Sequence, residues 1–313
     1  MTLIQLEYAI AVHDMKSFSK ASEKCFVTQP TLSMQIQKLE EELDVVLFDR
    51  KKKPLKTTEI GELIIEQARN VISTGKGIKD VVAQYKKQVH GELKVGIIPT
   101  VSPYLLPLFL PQFLSENPDL KIQIEERTTE EIVKALQEDH LDVGILATPL
   151  KNPRITEYPI YAEGMFFYVS PNHPLFVRKE IDVNSIDRKD VWLLNHGHCF
   201  RNQVLNLCEH LRENESGIFA FESGSLETIV KIIDGHNGIT ILPESALYSL
   251  TEKQKKNVRP ISTRGKAPGR EISLVVSRTY LKQSLIKLLG DKIQSSIPEQ
   301  LKQNQLRIIE IDD

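Results

Sequence analysis

The chain has 313 residues, of which 41% are hydrophobic and 26% are charged, with 40 basic side chains against 42 acidic ones. These values are typical of globular proteins and exclude a disordered or collagen-like chain. The length predicts two or three domains. Three cysteines cannot all pair with one another, so a fold held together by structural disulfides is not expected.

The N-terminus lacks the basic segment and long apolar core of a signal peptide. The most apolar stretch, residues 104–114, contains two prolines and is too short to cross a bilayer. We therefore expect a cytoplasmic protein without membrane contact. Thiols are normally reduced there, so any disulfide would be transient and catalytic or redox-sensing.

Residues 1–57 predict short helices followed by a small hairpin. Ser17 or Ser19 can cap a second helix, and Thr28 can cap a third that continues past Leu43. The basic run at residues 50–53 ends in a proline, which is typical of a hairpin tip.

The third helix separates an apolar side, with Leu32, Ile36 and Leu39, from a polar one. Its polar side is almost uncharged at the start, which suits contact with base edges. Together with the second helix and a turn at residues 25–27, it predicts a helix-turn-helix. The candidate DNA-binding residues on the helix are Gln29, Pro30, Thr31, Ser33, Met34, Gln35, Gln37 and Lys38. Arg50 and Lys52 are expected to contact the phosphate backbone of the DNA.

The charge of this part leaves an alternative open. Residues 1–90 hold 14 basic and 12 acidic side chains, which is less basic than a usual DNA-binding domain. On periodicity alone, a generic helical domain with a solvated basic loop is equally supported.

Residues 58–89 predict one long helix. Ile64, Val71, Ile78 and Tyr85 repeat every seven residues along it. A single apolar seam on a helix about 45 Å long favours pairing with a second helix. The alternative is packing against its own domain.

After residue 90, strands alternate with helices. Residues 93–98, 120–124 and 142–147 predict strands, with helices between them, and the alternation continues through residues 165–169, 191–194, 226–233, 239–243 and 272–276. This pattern is typical of an α/β fold with largely parallel sheets.

Cys199 follows a glycine turn and begins a predicted helix. The positive helix end, His198 and Arg201 each favour the thiolate, which is the form that peroxide oxidises to sulfenic acid. Cys208 lies nine residues further on. Along one helix the two Cα atoms would be about 13 Å apart, whereas a disulfide needs about 7 Å. A bond between them would require the segment to refold.

Two other interpretations of the cysteines remain open. Free cysteines are often ordinary buried residues, and we expect this role for Cys25. A zinc site is less favoured, because His196, His198 and the two cysteines lack paired ligand spacing. No metal or cofactor is expected.

Specific residues match a known family. Ser19-Lys20-Ala21-Ser22, Thr28-Gln29-Pro30-Thr31-Leu32-Ser33, Ile36, Leu39-Glu40, Leu43, Leu47-Phe48 and Arg50 resemble the winged helix-turn-helix of LysR-type transcriptional regulators. The resemblance implies a mostly α winged helix-turn-helix (1–57), a dimerising linker helix (58–89) and a two-lobed α/β effector domain like periplasmic binding proteins (90–313). Lobe I would span about 90–162 and 270–300, and lobe II about 163–269. It also implies a homo-oligomer, either dimer or tetramer, that binds double-stranded promoter DNA and RNA polymerase and is not an enzyme.

A second set of matches lies in the effector region. Gly96–Val101, Pro103–Pro107, Gly197–Cys199, Arg201, Gln203, Cys208, Ser225–Thr228 and Gly238–Thr240 are similar to peroxide-sensing members of this family. That resemblance implies that hydrogen peroxide oxidises Cys199 and that Cys208 resolves the product into a disulfide. Thr100, His198 and Arg270 would surround the peroxide, with Thr129 close by.

The resemblance has two departures. Asn202 replaces an acidic residue that is frequent in the family, and residues 213–222 match poorly. Two alternative functions remain: a LysR-type regulator that binds a small organic inducer between its lobes, and a thiol peroxidase. No dinucleotide-binding or phosphate-loop glycine motif is present.

Overall fold

A computed structural model describes residues 1–52, 54–85, 91–212, 224–277, 282–302 and 305–311. The chain divides into two compact units. The first comprises residues 1–88 and 279–282, and the second comprises residues 89–278 and 283–313. No helix in this described part is long and apolar enough to span a membrane.

The first unit is mostly helical, with one small hairpin. Its elements are α1 (Leu3–Met15), α2 (Phe18–Lys24), α3 (Gln29–Leu43), β1 (Phe48–Asp49), β2 (Lys56–Thr57) and α4 (Glu59–Tyr85). Ser17 caps α2 by accepting from the backbone N–H of Lys20, and Thr28 caps α3 in the same way. Both caps satisfy N–H groups that a helix start leaves free. The helix-turn-helix predicted from the sequence is confirmed.

Helix α4 has a buried face and an exposed one. Ile65, Ala68 and Ile72 are buried in the core of the first unit. Val71 and Ile78 are 42% and 69% exposed, respectively. The helix therefore packs on its own domain through one face and leaves another apolar face in solvent. Of the predicted seam, Ile64 is partly buried, and the side chain of Tyr85 lies outside the described part.

The second unit is α/β. Its strands are β3 (Gly91–Ile97), β4 (Leu120–Glu126), β5 (Val143–Thr148), β6 (Ile155–Val169), β7 (Ile181–Asp182), β8 (Ile239–Pro243), β9 (Val258–Ser262), β10 (Pro268–Ser277) and β11 (Arg307–Ile308). Its α-helices are α5 (Ser102–Glu116), α6 (Thr129–Gln137), α7 (Cys199–Leu207), α8 (Leu226–Gly235), α9 (Glu244–Leu247), α10 (Glu252–Lys255), α11 (Gln283–Ser296) and α12 (Glu299–Lys302). Short 3-10 helices lie at Pro174–Val177, Val183–Ser185, Arg188–Asp190 and Glu209–Arg212.

The strands form a sheet in the order β4-β3-β5-β10-β6-β9-β7, with β11 beside β10 and β8 beside β6. Residues 155–164 of β6 pair with β10, and residues 165–169 pair with β8, so one strand runs through both lobes. The expectation of largely parallel sheets was wrong. Strand β10 is antiparallel to both of its main neighbours, because the chain crosses between the lobes on β6 and returns on β10. Residues 191–194 form isolated bridges rather than a strand, and one of these bridges joins Val191 to Ile239.

Two glycines of α4 provide a test of the packing in the first unit. A Cβ at Gly61 would overlap the carbonyl oxygen of Leu47, whereas a Cβ at Gly75 meets nothing closer than 3.7 Å. We expect Gly61→Ala to destabilise this unit by about 1–3 kcal/mol. We expect Gly75→Ala to stabilise it by up to about 1 kcal/mol, since alanine favours helix. Thermal unfolding of both variants checks this, and equal shifts would contradict it.

Candidate redox site and DNA-binding surface

The two candidate redox cysteines lie at opposite ends of helix α7. Gly197 adopts φ +91, a left-handed conformation that favours glycine, and turns the chain into the helix. Cys199 is the first residue of α7, and Cys208 is its C-cap. Both are free thiols. The predicted helix is thus confirmed, and at about 1.5 Å per residue it holds the two Cα atoms about 13 Å apart.

Burial dominates the electrostatics of both thiols. It raises the pKa of Cys199 above its ordinary value, although Thr129, Arg270 and the first backbone N–H groups of the helix oppose the shift. Burial also lowers the pKa of His198, so this side chain is neutral at pH 7. The helix start favours the thiolate of Cys199, as expected, but burial has the larger effect on its pKa. The lowered pKa of His198 works against the expected contribution of a positive imidazole.

Cys199 and Cys208 differ in how accessible they are. Cys199 is 6% exposed and lines a cavity of about 710 Å³, together with His198 and Thr129. Cys208 is fully buried in the apolar core of the second lobe, and burial raises its pKa to about 12. A small molecule can therefore reach Cys199 through the cavity but cannot reach Cys208 while α7 is folded.

Thr129 is placed by a capping box at the start of α6. The Thr128 hydroxyl accepts from the N–H of Glu131, whose carboxylate accepts from Thr128 in return. The buried hydroxyl oxygen of Thr129 makes no hydrogen bond of ordinary geometry with any described residue. It nevertheless lies close enough to the Cys199 thiol to lower the pKa of that group. This hydroxyl retains hydrogen-bonding capacity beside the sulfur.

Arg270 is completely buried and connects several parts of the site. Its Nε donates to Glu163 Oε1 at 2.8 Å, and its two Nη atoms donate to the hydroxyl and carbonyl oxygens of Thr100 at 2.9 Å each. The guanidinium carbon lies 4.7 Å from the ring centroid of Phe200, which follows Cys199 in the chain. Thr100 is also buried, at 3% exposure. The structure thus connects Cys199, His198, Thr129, Arg270 and Thr100, while Cys208 remains apart.

Two features of the site were missed in the sequence. Glu163, the buried partner of Arg270, is separated from it by 107 residues. Gln203 and Asn206 of α7 donate to the backbone carbonyls of Ile309 and Glu310 at 2.9 and 3.0 Å. The segment that follows β11 therefore holds the redox helix in place. The partners are too distant in sequence for any local pattern to show these contacts.

Asn202, the first departure from the family pattern, lines the cavity. The second departure, residues 213–222, lies outside the described residues.

The predicted DNA-binding residues lie on one exposed surface of the first unit. Gln29, Pro30, Thr31, Met34, Gln37, Lys38, Arg50 and Lys52 are exposed, and Ser33 and Gln35 are half-buried. Thr28 caps the start of α3, which carries most of these exposed side chains. Leu32, Ile36 and Leu39 anchor the opposite face of the helix in the core. The start of α3 therefore presents its polar side chains to solvent.

Several of these side chains also make intramolecular contacts. Arg50 forms an ion pair with Glu40 at 2.9 Å and lies over the ring of Phe18. Lys52 lies 3.8 Å from Asp49. The Arg50–Glu40 ion pair joins the residue after β1 to α3, and Arg50 also donates to the Ser33 hydroxyl near the start of that helix at 3.5 Å.

Comparison with known families decides the class of the protein. Residues 3–62 match the bacterial regulatory helix-turn-helix proteins of the lysR family, and residues 86–296 match the LysR substrate binding domain. The chain belongs to the LysR family. This confirms the predicted architecture of a helix-turn-helix followed by a two-lobed α/β domain. It also confirms a DNA-binding transcriptional regulator and argues against the alternative of a thiol peroxidase.

Relatives of this LysR-family chain are similar over nearly their whole length. The hydrogen peroxide-inducible genes activator of Haemophilus influenzae is 34% identical over 302 residues, covering 96% of this chain and 98% of the relative. The DNA-binding transcriptional dual regulator OxyR of Escherichia coli is 33% identical over 275 residues, covering 88% and 89%. A full-length OxyR variant from Pseudomonas aeruginosa has a TM-score of 0.75 and 32% identity, covering 95% of this chain and 99% of that one. The predicted resemblance to peroxide-sensing LysR-type regulators is confirmed.

Metal binding receives no support from the described ranges. Within them, no group of three or more His, Cys, Asp or Glu side chains is arranged to hold a metal ion.

The different surroundings of the cysteines predict different reactivities. A thiol with a pKa of about 12 is about one part in ten thousand thiolate at pH 8. We therefore expect iodoacetamide to modify Cys199 at least about tenfold faster than Cys208, because only the thiolate reacts. We also expect the Cys199 rate to rise with pH throughout pH 7–9, since its pKa is raised. Mass spectrometry of labelled peptides checks both rates, and a Cys199 rate that is independent of pH would contradict the protonated resting thiol.

Proposed function

We propose that this LysR-family regulator senses hydrogen peroxide through a reversible disulfide between Cys199 and Cys208 and controls oxidative-stress genes. The observation that carries the proposal is the placement of the cysteines at the two ends of α7, with only Cys199 on the cavity. The names of its relatives, hydrogen peroxide-inducible genes activators, support it. The alternative is a small organic inducer bound between the lobes, with passive cysteines.

In the first step, the sulfur of Cys199 attacks one oxygen of hydrogen peroxide. An S–O bond forms and the O–O bond breaks, so the sulfur becomes a sulfenic acid and the second oxygen leaves as water. Because the resting thiol is protonated, its proton must be transferred during this step. The neutral imidazole of His198 has an acceptor nitrogen that suits this transfer.

Thr100 and Arg270 are suited to stabilise the negative charge that develops on the leaving oxygen. Arg270 donates to the Thr100 hydroxyl oxygen, so that hydroxyl's own hydrogen can donate onward to a peroxide oxygen. The guanidinium is permanently cationic, and its positive charge in a buried site stabilises negative charge nearby. Thr129 adds a hydroxyl beside the sulfur.

In the second step, the Cys208 thiol attacks the sulfenic sulfur of Cys199, which forms the disulfide and releases water. The two Cα atoms must approach within about 7 Å, so α7 has to unwind. Unwinding breaks the hydrogen bonds from Gln203 and Asn206 to the segment after β11 and removes Cys208 from the apolar core. The disulfide therefore exchanges one packed arrangement of the second lobe for another.

The remaining parts of the proposal concern DNA and partners. The exposed start of α3 would read base edges of promoter DNA, and Arg50 and Lys52 would contact the phosphate backbone. The exposed apolar side chains of α4 suit pairing with a second copy, as a dimer or tetramer. Repacking around α7 would change the spacing of the DNA-binding units and the recruitment of RNA polymerase. The proposed site of action is the cytoplasm.

Thiol counting on a promoter complex tests the redox step. The structure has three free cysteines, and we expect one equivalent of peroxide to consume two of them and to change the protein's footprint on a promoter fragment. Cys199→Ser should abolish both effects. Cys25→Ser is the control and should leave them intact, because Cys25 packs in the core of the first unit and does not line the cavity. A normal footprint response in a Cys199→Ser, Cys208→Ser double variant would favour the organic-inducer alternative.

The contact of α7 with the segment after β11 predicts a shift in the redox potential. Asn206→Ala removes a hydrogen bond that is present only in the helical, reduced form, with a net worth of about 1 kcal/mol. Asn202→Ala is the matched control, since it makes the same change in helix propensity on α7. Relative to this control, we expect the disulfide potential of Asn206→Ala to be more negative by about 20 mV. Equilibration with a thiol buffer measures both potentials, and equal potentials in the two variants would refute a role for the hydrogen bond to Glu310.

A further inference from the structure

We propose that Glu163 is a positioning residue for the oxidation of Cys199: it fixes the Arg270 guanidinium in the orientation that also holds Thr100. This inference rests on the proposed function, because it concerns the reaction of Cys199 with peroxide. Glu163, Arg270 and Thr100 all lie behind the residues that line the described cavity, and Glu163 is joined to the other two through its hydrogen bond to Arg270.

The Glu163 carboxylate is held at both oxygens. Glu163 and Arg270 lie directly opposite each other in the antiparallel register of β6 and β10. One oxygen accepts from Arg270 Nε, and the other accepts from the backbone N–H of Ser245 at 2.8 Å. Both side chains of the pair are completely buried. The carboxylate therefore has no freedom to shift without breaking a charged hydrogen bond.

The guanidinium is fixed in turn. With Nε on Glu163, the two Nη atoms reach the hydroxyl and carbonyl oxygens of Thr100, and the flat face lies over Phe200. Without a carboxylate partner, the buried charge of Arg270 would strongly destabilise the folded protein, because water is excluded from this position. Glu163 supplies that partner from the side away from Thr100. Loss of the carboxylate would let the guanidinium rotate away from the orientation that serves Thr100.

Peroxide and alkylating reagents depend differently on this arrangement. Iodoacetamide needs only the Cys199 thiolate. The reaction with peroxide also requires a proton for the leaving oxygen and stabilisation of the negative charge that develops on it. In the proposed mechanism, Thr100 and Arg270 provide both. Misplacement of the pair therefore slows oxidation and leaves alkylation almost unchanged. A merely structural role of Glu163 would slow both reactions together.

The test measures both rate constants on the full chain with Cys25→Ser and Cys208→Ser, so that Cys199 is the single thiol. Dimedone trapping reports the sulfenic acid. In this background, Glu163→Gln removes the charge and turns an amide donor toward one of the two N–H groups. We expect oxidation by hydrogen peroxide to slow by about tenfold to a hundredfold. The iodoacetamide rate, measured across pH 7–9, should stay close to that of the background.

Two further variants keep the test decisive. Glu163→Asp retains the charge but shortens the side chain, and it provides the same comparison of the two reagents if Glu163→Gln does not fold. We expect it to slow peroxide selectively, by a smaller factor. Glu244→Gln is the matched control, because it makes the same change at a carboxylate that accepts from the neighbouring Gly164 N–H at 2.9 Å. It should leave both rates unchanged.

Each remaining outcome has one meaning. The role of Glu163 would be overturned if both Glu163 variants reacted with peroxide at the rate of the background protein. It would also be overturned if their rates with peroxide and iodoacetamide fell by the same factor, or if Glu244→Gln showed the same selective loss of the peroxide rate. A background protein that reacts with peroxide no faster than free cysteine would instead overturn the proposed function, and the inference with it.

Discussion

A buried guanidinium needs partners on every side, and Arg270 obtains them from separate parts of the second unit. The carboxylate of Glu163 comes from the neighbouring strand β6, two oxygen atoms come from Thr100, and the aromatic face of Phe200 comes from the redox helix. Because breaking a buried ion pair is strongly destabilising, these segments are constrained together. The strand that carries Arg270 also runs through the middle of the sheet, so the geometry around Cys199 is coupled to the register of the strands beneath it.

The protonated resting state of Cys199 follows from a competition in which burial wins over the helix end and Arg270. A sulfur in this state reacts slowly with reagents that require a preformed thiolate. It can react quickly with an oxidant when neighbouring groups accept its proton and stabilise the leaving oxygen. Burial at this position therefore suits selectivity, because the same surroundings that suppress general thiol chemistry can assist one particular reaction.

Local patterns predicted the elements of this fold better than their arrangement. The caps at Ser17 and Thr28 and the apolar side of α3 follow from side chains within a few residues of each other, and all were recognisable. The helix between the cysteines was predicted for the same reason. The antiparallel insertion of β10, the pairing of Glu163 with Arg270 and the bond from Gln203 to Ile309 join residues that are more than 100 positions apart. Nothing in a single sequence shows which distant segments will meet, and the pKa of Cys199 depends on that packing.

The position of β10 in the sheet has a consequence for synthesis of the chain. This strand (Pro268–Ser277) lies between β5 and β6, which are translated more than 100 residues earlier, and β11 pairs with it only when residues 307–308 have emerged. The first unit is built mainly from neighbouring helices, and such local contacts form quickly. Domains generally fold in order from the N-terminus during translation. A ribosome-bound chain can therefore present a folded helix-turn-helix while its sheet still lacks the central strand, and the contacts of α7 with Ile309 and Glu310 form only after those residues have emerged.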